Sequence, residues 1–372
     1  MSPKLSKQLS PGDVITEDMP LIHVLDVEFK GKCCDKCLKR SDQLKRCSKC
    51  LRMHYCTIEC QKNDWKYHKN ECPLFGHHVI QDMIDDKFGA LWLRLYLSVQ
   101  NIPTFATEKH RLIDGSEVSL RDISVDVSAA SDDIRSHCQI VCLVFTELGI
   151  NFDAQEVLHW SQFLVTVSNF GIKFGDQLSI TNTTVGSGLY VTYSLFGHSC
   201  QPNSALVMKK DLSLQLRAMR PIAAGEDITI SYVSLQQNRA NRQKALEFWS
   251  IDCECDKCVQ KLDSRVDYDK YFSGDILPLR VFSFGSQIVD YLRQVLTDLD
   301  VMYGDYNPLK TYLMFTIIMA LYYCPLIPEP FMNEMKANLM KAFDVTFGAN
   351  SPLKARIVHS ISTGQLCEQL PV

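Results

Sequence analysis

Gly197-His198-Ser199-Cys200-Gln201-Pro202-Asn203 is the stretch on which the reading of this chain turns. Its Cys200 has no second metal ligand close by in sequence, yet Cys253, Cys255 and Cys258 follow some way downstream in the spacing C-x-C-x-x-C. One thiol and three thiols together make a tetrahedral zinc set. Between the two pieces lies Gly225-Glu226-Asp227-Ile228-Thr229-Ile230-Ser231-Tyr232, which reads as a turn and then a short alternating strand that delivers a tyrosine.

The rest of the composition is that of an ordinary folded chain. Its 372 residues are 46% hydrophobic and 22% charged, enough for two or three domains with a sizeable core. A net charge of -4 gives no reason to expect attraction of the whole protein to nucleic acid or to an acidic membrane surface. Sixteen cysteines are many. The opening MSPKLSKQLS has no apolar run of the secretory kind, so reduced thiols and metal are expected rather than disulfides. The longest apolar stretch, Tyr312 to Ile327, contains Thr316 and is interrupted by Pro325. A bilayer span needs about twenty residues, so a buried helix is expected here.

Toward the N-terminus, Ser10-Pro11-Gly12-Asp13 signals a turn before strands expected at Val14-Ile15 and Leu21-Leu25. Cys34-x2-Cys37, Cys47-x2-Cys50, Cys56-x3-Cys60 and His68-x3-Cys72 then give eight potential ligands between residues 34 and 72. No disulfide or catalytic pattern requires a histidine in that company, and so short a segment needs a metal staple to hold itself. Cys33 competes with Cys34 for the register, but only Cys34 gives the two-residue spacing to Cys37.

From His77 to about Phe170 the period becomes helical. Ile80, Ile84, Phe88, Leu91 and Leu95 fall on one face. A second stripe, Ile134, Cys138, Val141, Cys142 and Phe145, lies beside His137, and its cysteines read as small core residues rather than ligands. A third helix is expected near Ala154 to Val167, with Val157, Trp160, Phe163, Leu164 and Val167 inward. The polar segment from Thr104 to Ser131 reads as a loop. Further on, Leu212, Leu214 and Leu216 alternate with polar residues as a strand buried on one face, with Lys209-Lys210-Asp211 as the turn before it. Gly186-x-Gly188 lacks the strand and helix context of a dinucleotide site.

The chain resembles the SET-and-MYND family of protein-lysine methyltransferases. That family carries N-H-S-C-x-P-N, then G-E-E with a tyrosine shortly after, then a post-SET C-x-C-x-x-C. The resemblance covers most of residues 10 to 360. It implies an α+β fold: a SET-type β core interrupted by a zinc-bound MYND finger and a helical insert, followed by a C-terminal helical domain of the tetratricopeptide (TPR-like) kind. The implied segments are 1–30 and 171–235 for the core, 31–75 for the finger, 76–170 for the insert, 236–262 for the post-SET zinc segment and 263–372 for the helices. The MYND cross-brace would place Cys34, Cys37, Cys56 and Cys60 on one zinc and Cys47, Cys50, His68 and Cys72 on the other. Cys200, Cys253, Cys255 and Cys258 would hold a third.

What the resemblance implies for chemistry is transfer of a methyl group from S-adenosylmethionine to a lysine of a histone or other protein. A lysine has a reference pKa of about 10.4, so its channel must disfavour the ammonium form. Tyr232 is the expected catalytic residue, orienting the amine rather than acting as a base. Gly197, His198, Ser168, Tyr232, Trp249 and Ile251 are the expected cofactor contacts, and Phe170 is expected at the substrate. The sequence also departs from the family pattern. Gly197 stands where the family has asparagine, Ser168 aligns with a second asparagine, and Ile251 stands where an aromatic covers the adenine. No G-x-G strand precedes Ser10. These weaken the expected cofactor site and leave a second reading, a zinc-stapled adaptor that binds partners without catalysis.

At the C-terminal end, Tyr303-Gly304-Asp305-Tyr306-Asn307-Pro308-Leu309-Lys310 recurs as Phe347-Gly348-Ala349-Asn350-Ser351-Pro352-Leu353-Lys354. Each copy reads as a helix stop, a loop and a proline helix start. Partners follow from the same resemblance: a protein substrate, and a proline-containing peptide at the finger. Residues 31–72 hold eleven Lys and Arg against five Asp and Glu, a basic excess that two zinc ions and seven thiolates reduce to about +3. Nucleic-acid contact is expected to be weak at most, membrane association is not expected, and the expected location is nucleus and cytoplasm.

Overall fold

The computed structural model describes residues 5–167, 169–173, 184–209, 211–249, 251–268 and 287–365. Two strands open the chain, β1 (Val14–Asp18) and β2 (Ile22–Leu25), in the places expected for them. A finger follows, with a small hairpin of β3 (Lys45–Arg46) and β4 (His54–Tyr55) and the helix α1 (Ile58–Glu71). Thr57 caps α1 by accepting from the Cys60 N–H at 3.1 Å, which fixes the direction in which Cys60 leaves the helix.

The helical block consists of α2 (Gln81–Asp85), α3 (Lys87–Asn101), α4 (Asp132–Glu147) and α5 (Ala154–Thr166). The first apolar stripe is split between two helices rather than carried by one. Asp86 adopts an extended conformation, ends α2 and caps α3 by accepting from the Gly89 N–H at 2.7 Å. Ile80, Ile84, Leu91 and Leu95 are buried on both sides of that break. In α4, Cys138, Val141 and Phe145 point inward, and all five residues expected inward from Val157 to Val167 are buried. One cluster joins these helices to Ile22, Val24, Leu189 and Val191. The segment 104–131 is not a plain loop: it holds the hairpin of β5 (His110–Arg111) and β6 (Glu117–Val118), which short polar strands left without a readable period.

Two three-stranded sheets and one short parallel pair make the β layer. β7 (Asn169–Lys173) and β2 flank β8 (Thr184–Leu189), both antiparallel to it. The Gly186-x-Gly188 stretch is therefore a central strand. A Cβ on Gly186 would sit 2.2 Å from the Val24 carbonyl oxygen, so close approach of β2 demands glycine there. In the second sheet β11 (Leu214–Ala218) lies between β1 and β10 (Ser204–Met208). Leu212 precedes that strand and belongs to the turn, with a φ of 73°. The turn closes through Lys209 N–H to Ser213 C=O (2.9 Å), so the strand begins at Leu214, two residues later than the leucine spacing implies. The pair is β9 (Gly197–His198) beside β12 (Thr229–Ile230).

Downstream come α6 (Arg239–Leu246), the one-turn α7 (Asp256–Val259), and four longer helices: α8 (Ile288–Tyr303), α9 (Pro308–Leu321), α10 (Glu329–Phe347) and α11 (Leu353–Thr363). The internal echo falls on equivalent corners. Gly304 and Gly348 end α8 and α10 at φ values of 78° and 89°, and α9 and α11 start at or just after the prolines. The apolar stretch from Tyr312 is largely α9, packed in a core with Ile288, Leu292, Leu339 and Phe343. Among the described residues no helix is long and apolar enough to cross a membrane. Arg217 ties sheet to helices, donating to Gly12 C=O at 2.6 Å and to Val345 C=O at 3.0 Å. A cavity of about 670 Å³ beside it, lined by Lys209, Gln215, Phe347 and Ser351 among others, contains none of the expected site residues.

Candidate metal centres and active site

Three groups of ligand atoms converge, each with its members within 4.8 Å of one another: Cys34, Cys37, Cys56 and Cys60; Cys47, Cys50, His68 and Cys72; and Cys200, Cys253, Cys255 and Cys258. The finger groups interleave as the cross-brace implies. A tetrahedron with metal–sulfur bonds of about 2.3 Å has sulfurs about 3.8 Å apart, against about 2.05 Å in a disulfide. The observed Cys37–Cys56, Cys56–Cys60 and Cys47–Cys72 separations are 3.6, 3.5 and 3.8 Å. Four thiols, or three with an imidazole, at that spacing fit zinc. Cys33 is buried beside Leu25 and Phe29, outside both groups. Cys138 and Cys142 belong to the helical core.

The finger's second centre has a support that sequence reasoning missed. His68 turns Nε2 toward Cys50 (3.5 Å), leaving Nδ1 at 3.6 Å from a Glu71 carboxylate oxygen. Arg94 of α3 grips that carboxylate with two bonds, Nε to Oε1 at 2.7 Å and Nη2 to Oε2 at 2.8 Å. It also donates to His23 C=O (2.9 Å) and Asp64 (3.1 Å), and Asp64 accepts from the Tyr55 hydroxyl at 2.8 Å. All of Arg94, Asp64 and Glu71 are buried. Burial alone would raise the Glu71 carboxyl, but the guanidinium beside it holds it down at about 2. The i,i+3 spacing of His68 and Glu71 was visible in the sequence; the arginine from another segment was not.

At the central stretch, β9 and β12 run parallel with Gly197 opposite Thr229 and His198 opposite Ile230. Ser199 N–H donates to Ile230 C=O at 3.0 Å. In that register the ladder bonds fall on Gly197 and Ser199, and the His198 N–H and C=O point away from β12. The His198 ring is also engaged. Its Nδ1 accepts from the Tyr232 N–H at 3.0 Å, and its Nε2 lies 3.3 Å from the Cys200 sulfur. Burial pushes its pKa down to about 4. Asn203 is a buried clamp: its amide donates to Asp227 C=O (2.8 Å) and accepts from the Thr229 N–H (2.8 Å).

Tyr232 lies two residues beyond β12, so the hydrogen bond from its N–H to His198 positions it rather than the strand itself. Its ring packs 5.4 Å from His198 and 5.6 Å from Trp249, and its hydroxyl donates to Phe196 C=O at 2.5 Å. Burial raises the phenol's pKa, so it stays protonated at neutral pH. Trp249 and Ile251 are partly buried against the third cysteine group, together with Tyr232. Phe170 sits on β7 opposite Gly188. Ser168 lies outside the described residues.

A cysteine-rich finger on an α+β body, with a half-buried tyrosine and the His198 backbone edge turned away from β12 beside a third thiol group, defines a zinc-stapled protein with a candidate small-molecule site. Comparison with known proteins sharpens this. Residues 34–72 match the MYND finger family. The chain is 28% identical over 272 residues to the histone-lysine N-methyltransferase SMYD3 of Mus musculus, covering 67% of this chain and 57% of that one. It is likewise 28% identical over 266 residues to the histone-lysine N-methyltransferase ASHR1 of Arabidopsis thaliana, covering 68% and 52%. Against the N-lysine methyltransferase SMYD2 of Homo sapiens it is 28% identical over 255 residues, covering 67% and 56%. Residues 34–72 are thus a MYND finger, and the chain as a whole is similar to SET-and-MYND (SMYD) proteins that are named as lysine methyltransferases. It spans little more than half the length of each of these relatives.

Proposed function

We propose that this chain is an S-adenosylmethionine-dependent protein-lysine N-methyltransferase, acting on a lysine of a histone or non-histone protein. The observation that carries the reading is the convergence of the His198 backbone edge, Tyr232 and Trp249 against the third cysteine group. A backbone donor and acceptor beside a partly exposed aromatic wall suit a flat heterocycle such as adenine. His198, Tyr232, Trp249 and Ile251 would hold the cofactor, Gly197 giving only backbone, with Phe170 toward the substrate. The cofactor supplies the reactive methyl group. Tyr232 has committed its proton to Phe196 C=O, so its oxygen lone pairs remain to orient an arriving amine. Zinc in all three centres is part of the reading, as is a location in nucleus and cytoplasm.

The finger offers a cavity of about 510 Å³ lined by Lys32, Arg40, Arg46 and His54 beside Asp42 and Leu44. A proline-containing peptide with acidic flanks suits that lining. The adaptor reading is favoured by one specific feature: Gly197 and Ile251 remove a side-chain amide and an aromatic face that the family pattern supplies. One titration decides between the two. Calorimetry should give micromolar affinity for S-adenosylmethionine, about 8 kcal/mol. Methyl transfer to a protein substrate should fall at least a hundredfold in Tyr232→Phe while that affinity persists. No binding at millimolar cofactor, in the wild type and in Gly197→Asn alike, leaves the adaptor.

A further inference from the structure

We propose that Arg242 is the counter-ion of the third metal centre and that, with Asp263 and Lys257, it ties occupancy of that centre to the C-terminal helices. The inference rests on zinc at the four cysteines and is independent of methyl transfer. Four thiolates around one Zn²⁺ carry two net negative charges. Cys200, Cys253 and Cys258 are buried, so those charges need compensation from within the protein.

Arg242, on α6, is fully buried. Its Nη1 donates to Gln237 C=O at 2.5 Å, lies 3.3 Å from the Tyr268 hydroxyl and pairs with Asp263 at 2.8 Å. Nε and Nη2 are buried with no hydrogen-bond partner, and the guanidinium stands next to the sulfurs of Cys200 and Cys258. Orphaned donors of a buried arginine are costly unless they meet an acceptor. Thiolates gathered by zinc are that acceptor, and they are absent from the unmetallated, protonated cluster. His198 Nε2, 3.3 Å from Cys200, adds a second donor to the same sulfur.

The outer half of the arrangement reaches the helices. Lys257 lies between Cys255 and Cys258 on α7, so the metal fixes its backbone. Its buried Nζ donates to Met302 C=O at 2.7 Å, in the last turn of α8, and lies 3.8 Å from Asp263. A cation on the final carbonyls is the favourable partner of a helix C-terminus. Arg242 and Lys257 set against Asp263 leave one net positive charge facing the cluster's two negative ones. Losing the metal loosens Lys257 and uncaps α8.

Zinc release from the full chain to a chromogenic chelator reads the first half, with Cys200→Ser identifying the phase that belongs to the third centre. Arg242→Gln should release that zinc at least tenfold faster and leave the two finger phases unchanged. Arg242→Lys, which keeps the charge, should recover most of the difference. Hydrogen exchange reads the second half: Lys257→Met, and mild removal of the third zinc from the wild type, should each speed exchange of the 300–303 amides about tenfold. A wild-type release rate in Arg242→Gln, equal acceleration of all three phases, no recovery with lysine, or unchanged α8 exchange on metal removal would each overturn the proposal. Should Arg242→Gln fail to fold, the lysine variant and the wild-type exchange measurement still decide it.

Discussion

The finger and the third centre use the same ligands and arrive at them by opposite routes. The finger collects its eight ligands between residues 34 and 72, from a loop, one hairpin and one helix with the residues that flank them. The third centre takes Cys200 from the end of β9 and three thiols from beyond α6, so that the body must fold before the site exists. Closing a longer loop costs only modestly more entropy. The larger difference lies in what each metal holds. Zinc in the finger closes a local unit that is then docked by Arg94, whereas zinc in the third centre joins the central stretch, α6, α7 and the helices downstream.

The strongest test of that contrast is to remove one ligand from each. Apparent zinc-binding energies of structural sites in finger peptides run to about 10–16 kcal/mol, so each loss is expected to be large. Cys60→Ser should leave two zinc ions, loosen the Cys34–Cys37 segment and the start of α1, and preserve hydrogen-exchange protection in β8 and α9. Cys200→Ser should also leave two, with the finger intact, but expose Tyr232 and loosen α8. Equal damage from both substitutions, read by elemental analysis and hydrogen exchange, would break the distinction.

This difference also explains what the sequence could disclose. Ligand spacing is a local property, so the finger is readable residue by residue, and the two-residue spacing to Cys37 distinguishes Cys34 from Cys33. The strands β1 and β2, the helix α5 and the echoed corners at Gly304 and Gly348 were readable for the same reason. The break at Asp86 was not, because the apolar face runs on through it and only the capping bond to Gly89 reveals the interruption. Leu212 misled because its burial comes from the turn rather than from β11. Arg94 and Arg242 were invisible as partners, since an isolated arginine says nothing about which carboxylates or thiols will surround it.

A smaller effect tests how the finger is docked. Arg94→Met leaves Asp64 and Glu71 buried without their cation, which costs about 3–5 kcal/mol for a broken buried pair. Urea denaturation should show that loss. Adding Glu71→Gln to Arg94→Met should recover part of it, because one uncompensated charge is removed. A cost below about 1 kcal/mol would mean that the metal alone holds finger and body together.

Docking also predicts a pH response. His23 is buried on β2 with Nε2 2.8 Å from Lys36 C=O; burial, then the positive charges of Lys36 and Arg94, pushes its pKa down to about 4. The unfolded chain, with an ordinary value near 6.5, binds a proton that the folded chain refuses. Stability is therefore unaffected above about pH 6.5, declines as pH falls toward 4, and loses roughly 1–3 kcal/mol over that window. Measured from pH 7 to 5.5 at saturating zinc, His23→Gln should show a shallower decline than the wild type. Identical slopes would remove His23 from the account.

The smallest effect separates a cap held by metal from a cap that stands alone. Thr57 caps α1 through the Cys60 N–H, and Asn238 caps α6 through the Asn241 N–H at 3.0 Å. Either bond is ordinarily worth about 1 kcal/mol. Cys56 and Cys60 straddle Thr57 and are both ligands of the first finger zinc, so the first turn of α1 stays in place when the hydroxyl is lost. Nothing similar pins Asn238, whose helix carries no ligand of its own and presents Arg242 to the third centre. Thr57→Ala should thus cost less than about 0.5 kcal/mol in zinc-loaded protein and approach the full capping value only after chelation, whereas Asn238→Ala should cost about 1 kcal/mol in either state. Thermal denaturation with and without chelator resolves the four cases. A Thr57→Ala cost that ignores zinc would show that the metal leaves the start of α1 free to fray, and that the finger is less rigid than its interleaved ligands require.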